Sequence, residues 1–286
     1  MAKQDLLSIV QAIGNNIDNE KEHQNKIGEL KTFLQDGPEI EISKEIFQAV
    51  MNRSKSSTKI SEEAIYHLLS YCIENSNNIK SKSSNGKRNL SFDEVINYLK
   101  DATKIQQYYG DLDKLLNYQG ENGDTLLHKA ASAGNDYAVK TLLECGVNSL
   151  AVNKNSKTPL ELAQGNTKNI LIEGMKAQAN RYRSEARTKG IVSFMAGFIS
   201  TVGISTAICT ISAAVSCSIA LGVGAAIALG VGAIIGWSVY SQCDDHRKAE
   251  AIENALEQEK NASSQKGGMM SETNIENVNG NQTVKI

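Results

Sequence analysis

Four histidines and five cysteines are the side chains through which this chain could ligate a metal or supply a nucleophile. Their arrangement supports neither. Cys72, Cys145, Cys209, Cys217 and Cys243 are odd in number and irregular in spacing, which fits no disulfide framework and no zinc motif. His23 and His67 stand apart from any cysteine or carboxylate cluster and read as surface or half-buried residues. No Ser/His/Asp or Cys/His set has a supporting context. The glycines of 222–236 spell pieces of nucleotide motifs, but they lie in an apolar helix rather than after a strand. The sequence therefore predicts no catalytic residue, no metal and no cofactor. With 30 Lys+Arg against 32 Asp+Glu there is no basic excess to attract nucleic acid.

The elements that carry these residues are predicted to be helices throughout. Leu6, Ile9, Val10, Ile13 and Ile17 recur at helical spacing, as do Ile27, Leu30, Phe33 and Leu34 before a stop at Gly37-Pro38. Ser43 is a candidate N-cap for Ile46, Phe47, Val50 and Met51, and Ser61 for Ile65, Leu68, Leu69, Cys72 and Ile73. These helices make a region at 1–74. A polar, low-complexity linker follows at 75–90. Ser91 to Glu94 then reads as a capping box that opens a helix with Val95, Ile96 and Leu99. The N-terminus has Asp5 early and no long apolar stretch, so it is not read as a secretory signal.

Self-similarity appears next. "GDTLLHKAASAG" at 123–134 and "SKTPLELAQGN" at 156–166 align at an offset of 33 residues, Thr125 over Thr158, Leu127 over Leu160 and Ala130 over Ala163. This resembles the ankyrin repeat, with its T-P-L-H-x-A turn and first helix. The first copy keeps Thr125, Leu127, His128, Ala130, Ala131 and Gly134, then Val139, Leu142 and Leu143 on a second helix, but has Leu126 where the family has proline. The second has Pro159 but carries Glu161 in the histidine position and runs short before Gly165. A degraded third copy precedes them, with Gly110 five residues before Leu115. The repeats are placed within 91–175, clearest at 121–175. The resemblance implies that Thr125, Leu127, His128, Ala130, Ala131, Gly134, Thr158, Pro159, Leu160 and Ala163 are structural, with His128 bonding between repeats. It implies protein binding through loop tips and the first helix, here Glu121, Asn122, Asp124, Lys129, Ser132, Lys154, Asn155 and Lys157. Fewer than three good repeats need help to bury a core, so the N-terminal helices are expected to cap the open end.

Gly190 to Cys243 is a run of 54 residues without a charge, a histidine or a proline. A single helix of that length would span about 80 Å against a hydrocarbon core of about 30 Å. Two passes fit, at about 191–213 and 220–240 within a hairpin at 191–240. Small residues recur every fourth position in each half: Ser193, Gly197, Thr201, Ser205, Cys209 and Ala213, then Ser216, Ala220, Gly224, Ala228, Gly232 and Gly236. Such stripes let helices approach closely in lipid, which makes Gly197, Ser205, Gly224, Ala228, Gly232 and Gly236 helix-packing candidates. Trp237 and Tyr240 fit an interfacial belt. A basic segment at 176–190 and Arg247 and Lys248 beyond the run place both termini in the cytoplasm and could touch anionic headgroups. The part at 241–286 is expected to be a polar helix and a disordered tail.

The expected architecture is all-α: a helical N-terminal region, a short ankyrin solenoid, a two-helix transmembrane hairpin and a disordered tail. The expected role is non-enzymatic protein–protein interaction at a membrane. The alternative is a glycine-zipper hairpin that forms a homo-oligomeric pore or perturbs the bilayer. Abundant asparagine, lysine and isoleucine with two prolines resembles ankyrin proteins of obligate intracellular bacteria, which implies an effector.

Overall fold

The computed structural model describes residues 2–36, 42–51, 61–79, 92–105, 111–211 and 217–279, with side chains at 4–35, 42–50, 61–75, 92–101, 112–196 and 229–264. All regular structure among the described residues is helical. The chain divides into two compact units, Met1–Gly174 and Met175–Ile286.

The first unit begins with α1 (Ala2–Asn15), α2 (Glu20–Asp36), α3 (Lys44–Met51) and α4 (Glu62–Ile79). Helical spacing puts one apolar stripe of each on a shared core: Leu6, Val10 and Ile13 from α1, Ile27 and Leu30 from α2, Ile46 and Phe47 from α3, and Ile65, Leu68, Leu69 and Ile73 from α4, all fully buried. Each such side chain is worth roughly 1.5–3 kcal/mol of burial. Ser61 caps α4, its hydroxyl accepting from the Ala64 amide at 3.3 Å. Ser43 differs: its hydroxyl is buried with no hydrogen bond, and only its carbonyl serves α3, accepting from Ile46 N–H at 3.1 Å. Helix α4 runs on to Ile79, past the start of the expected linker; 80–91, and with them Ser91 of the expected capping box, lie outside the described residues.

Next come α5 (Phe92–Ile105) and α6 (Asp111–Leu116), then α7 (Leu126–Ser132), α8 (Asp136–Glu144) and α9 (Pro159–Leu162). Helix α7 packs on α8 and α9. On its other side it packs on α4, and α8 packs on α5. The N-terminal helices thus cover the open end of the repeats. The join is specific: Asn135 donates from Nδ2 to the Ile73 carbonyl at 2.9 Å while its Oδ1 caps α8. Helix α10 (Gly165–Ile211) starts in this unit, where Gly174 lies against Leu143.

The second unit holds the rest of α10 with α11 (Cys217–Gln242) and α12 (Asp244–Asn279). The arms are antiparallel, with Gly190 beside Gly236 and Tyr240, and Phe194 beside Gly232 and Gly236. Below them α10 pairs with α12. Arg183 bonds Glu253, Lys189 bonds Asp245, and the Lys248 ammonium lies over the Tyr182 ring, 5.5 Å from its centroid. Ala179, Ala186, Ala249 and Ile252 are buried along this seam, the first two a heptad apart on α10 and the last two three residues apart on α12, spacings that a coiled-coil seam uses. The tail expected to be disordered is helical to Asn279; its stretch to Lys260 is rich in alanine and glutamate, strong helix formers. Among the described residues no helix is long and apolar enough to cross a membrane. Most of the two expected spans, 197–228, lies outside the residues with described side chains.

Candidate functional site

The two good repeats are built from the same local bonds. Thr125 is extended and caps α7, its hydroxyl accepting from His128 N–H at 3.4 Å. His128 answers through Nδ1, which accepts from Thr125 N–H at 3.1 Å and lies 2.8 Å from the Thr125 hydroxyl. With Nδ1 accepting, the ring proton is on Nε2, which donates to the Lys157 carbonyl at 3.0 Å. One fully buried imidazole therefore closes its own helix cap and ties it to the next loop. In the second copy Thr158 caps α9 and Glu161 Oε2 accepts from Thr158 N–H at 2.6 Å. Glutamate performs the capping half of the histidine's work, with Pro159 at the first turn. Gly134 ends α7 at φ +65°, and the Asn135 amide reaches back to the Ala130 carbonyl at 3.0 Å. Leu127, Ala130, Ala131, Leu160 and Ala163 are buried between the helices.

The loops before α7 and α9 stand side by side. Gln119 Nε2 donates to the Val152 carbonyl at 3.1 Å, and Lys154 N–H to the Asn122 carbonyl at 3.0 Å. Asn153, buried, organises the second tip: its Oδ1 accepts from Asn155 N–H and Lys157 N–H, both at 3.0 Å, and its Nδ2 donates to Asp124 at 2.8 Å. Gly123 makes this pairing possible. Its φ is +74°, and a Cβ there would lie 2.8 Å from the Lys154 amide nitrogen. Gly123→Ala is expected to cost about 3 kcal/mol, since a left-handed alanine alone costs roughly 1–2 kcal/mol and the obstruction is backbone. Urea unfolding of the full chain in detergent micelles checks this; a loss below about 1 kcal/mol would mean that the loops shift apart freely.

The eight expected contact residues divide into two groups. Glu121 is exposed but ion-paired at 2.5 Å with Lys31 of α2. Lys129 is 3.4 Å from Glu74 of α4, and Asp124 is held by Asn153. These three serve contacts within the unit. Asn122, Ser132, Lys154, Asn155 and Lys157 are exposed. Together with exposed Val152, the residues of the second tip form a fixed projection carrying two lysines.

Residues 92–180 match the family model described as ankyrin repeats (3 copies). This part of the chain, less than half of its length, is similar to an ankyrin-repeat array. The match begins at α5, within the span of 91–175 expected for the repeats, and runs five residues beyond its end. Neither a curated protein nor a solved structure matches the chain.

Several ankyrin-side partners are invisible in the repeat pattern. Tyr66 of α4 covers Gly120, where a Cβ would meet its ring at 2.7 Å, and meets the Tyr118 ring at a tilt, 5.4 Å between centroids. Burial pushes the Tyr66 hydroxyl up to about 12 and the Cys72 thiol up to about 12, and raises Cys145, so neither cysteine is an activated nucleophile. In the second unit Gly232 and Gly236 are buried against Phe194, while Gly190, absent from the small-residue stripe, is the backbone partner of Gly236. Gly197, Ser205, Gly224 and Ala228 lie on α10 and α11, with their packing outside the described residues.

Proposed function

We propose that the ankyrin array binds a protein partner and that the arms of α10 and α11 hold it at a lipid bilayer, without catalysis. The observation that carries the membrane part is where apolar surface is left bare. Ile191, Val192 and Met195 on α10 and Leu229, Ile234, Ile235, Trp237 and Val239 on α11 are exposed, Ile234 at 70% and Trp237 at 71%; elsewhere among the described residues only Tyr137 and Val152 are exposed large apolar side chains. Water penalises such a surface and lipid does not. Between the two patches, 197–228 adds no charge. Two passes return both polar ends to one side, and the basic residues of 176–189 favour the cytoplasmic one.

The position of the glycines supports an anchor over a pore. Gly232 and Gly236 turn toward the chain's own α10, which leaves the large side chains outward to meet lipid. Alkaline carbonate extraction of membranes from cells expressing the full chain tests the reading, beside a deletion of 190–243. The full chain is expected in the pellet and the deletion in the supernatant, with no dye release from vesicles reconstituted with the full chain. Extraction of the full chain would overturn the anchor, and dye release would replace it with a pore.

A further inference from the structure

Lys31 of α2 is the only described cation that bridges the N-terminal helices to the first ankyrin loop through carboxylates on both sides. Its ammonium lies 2.9 Å from Glu63 Oε1 of α4 and 2.5 Å from Glu121 Oε1 of the loop. Gln24 of α2 donates to the other Glu63 oxygen at 3.3 Å. One helical turn after Glu63 comes His67. Its Nε2 is buried, makes no hydrogen bond, and lies 3.8 Å from the same Glu63 Oε1 that Lys31 holds. The Tyr66 ring stands edge-on to the imidazole at 5.3 Å. The charged and titratable groups around this point are thus Lys31 and His23 from α2, Glu63 and Tyr66 from α4, and Tyr118 and Glu121 from the loop side.

We propose that His67 is an acid-operated release for the N-terminal helices: when protonated it competes with Lys31 for Glu63 and loosens the clamp between α2, α4 and the first ankyrin loop. A proton on the buried Nε2 puts a second cation beside Lys31 and its single shared carboxylate oxygen. Glu63 can then satisfy one of them fully: Lys31, if displaced, keeps only the exposed Glu121, and His67, if not paired, is a buried cation close to another.

The electrostatics agree in sign. Burial and the facing Lys31 lower the His67 pKa against the opposing pull of Glu63 and Glu121. Burial lowers that of His23 too, against Glu63. A histidine lowered in the folded state is neutral there while the unfolded chain takes up its proton near the ordinary value of about 6.5. Its stabilising contribution is complete above that pH and is lost as the pH falls toward the folded pKa. For Glu63, burial pulls upward, but the hydrogen bond and charge of Lys31 outweigh it and hold the carboxyl below its usual range. Glu63 contributes stability above the unfolded carboxylate pKa and loses it at lower pH, so the two effects occupy separate windows.

Hydrogen exchange of the full chain in detergent micelles between about pH 7.5 and pH 5.5, corrected for intrinsic rates, tests this. Peptides covering 20–36 and 118–124 are expected to lose protection several-fold on acidification, while peptides of α7 and α8 do not. In His67→Gln the several-fold change is expected to vanish; in His23→Gln it persists. An unchanged response in His67→Gln, or no response in the native chain, would overturn the proposal. Should His67→Gln fail to fold, NMR titration of the native histidines decides: an opening midpoint that tracks the His67 resonance supports the release, and one that tracks His23 overturns it.

Discussion

Replacing His128 with alanine is expected to destabilise the first unit by about 3 kcal/mol, a large part of the 5–15 kcal/mol that holds a typical domain folded. Three losses combine. The fully buried ring leaves a cavity. The Thr125 amide loses the Nδ1 acceptor 3.1 Å away, and the Lys157 carbonyl loses the Nε2 donor at 3.0 Å. Leaving a buried polar group unpaired costs about 1–3 kcal/mol. Glutamate, which caps α9 in the second repeat, should restore only the local bond: His128→Glu can accept from Thr125 N–H but has no proton for Lys157. Urea titration of the full chain in detergent micelles, followed by circular dichroism, reads both. A loss below about 1 kcal/mol in His128→Ala would show that the inter-repeat bond is dispensable.

Gly236→Leu is expected to have a similar effect on the second unit. A Cβ at 236 would stand 2.9 Å from the Gly190 carbonyl oxygen and 2.9 Å from Phe194 Cβ, and the first of these is backbone. The arms must separate, at a cost of about 3 kcal/mol, the upper part of the range for overpacked sites. Gly230→Leu is the control. It lies on the same helix with nothing within 4 Å of its added Cβ, and its new side chain would join the exposed apolar surface. The thermal transition of the full chain in micelles should fall for Gly236→Leu and hold for Gly230→Leu. Equal behaviour of the two would mean that the arms do not pack through this face.

Both predictions rest on residues whose importance is legible in sequence to different degrees. His128 is legible because its role depends on the repeat, and a repeat writes its signature at a fixed offset of 33 residues. Gly236 is legible as a small residue in an apolar helix, whereas its partner Gly190 is not, since it lies outside the four-residue stripe and only the register of the arms brings the two together. The contact residues expected at the loop tips show the same limit. Exposure of Lys154, Asn155 and Lys157 follows from their place in a turn, but nothing near Glu121 in sequence announces Lys31, 90 residues earlier.

What the sequence by itself determined is local or periodic: helical character, the capping Thr125 and Thr158, the positive-φ Gly134, the ankyrin repeats, and an uncharged run long enough for two membrane passes. Each depends on bonds within a few residues or on composition, so neighbouring letters suffice. The tertiary structure decided which distant groups meet: α4 as the cap on α7, Asn135 on the Ile73 carbonyl 62 residues away, Lys31 between Glu63 and Glu121, and His67 beside them. Those pairings carry no period. They arise because packing apolar stripes fixes the helices first, and the polar groups at their edges must then find partners in whatever neighbours that packing supplies.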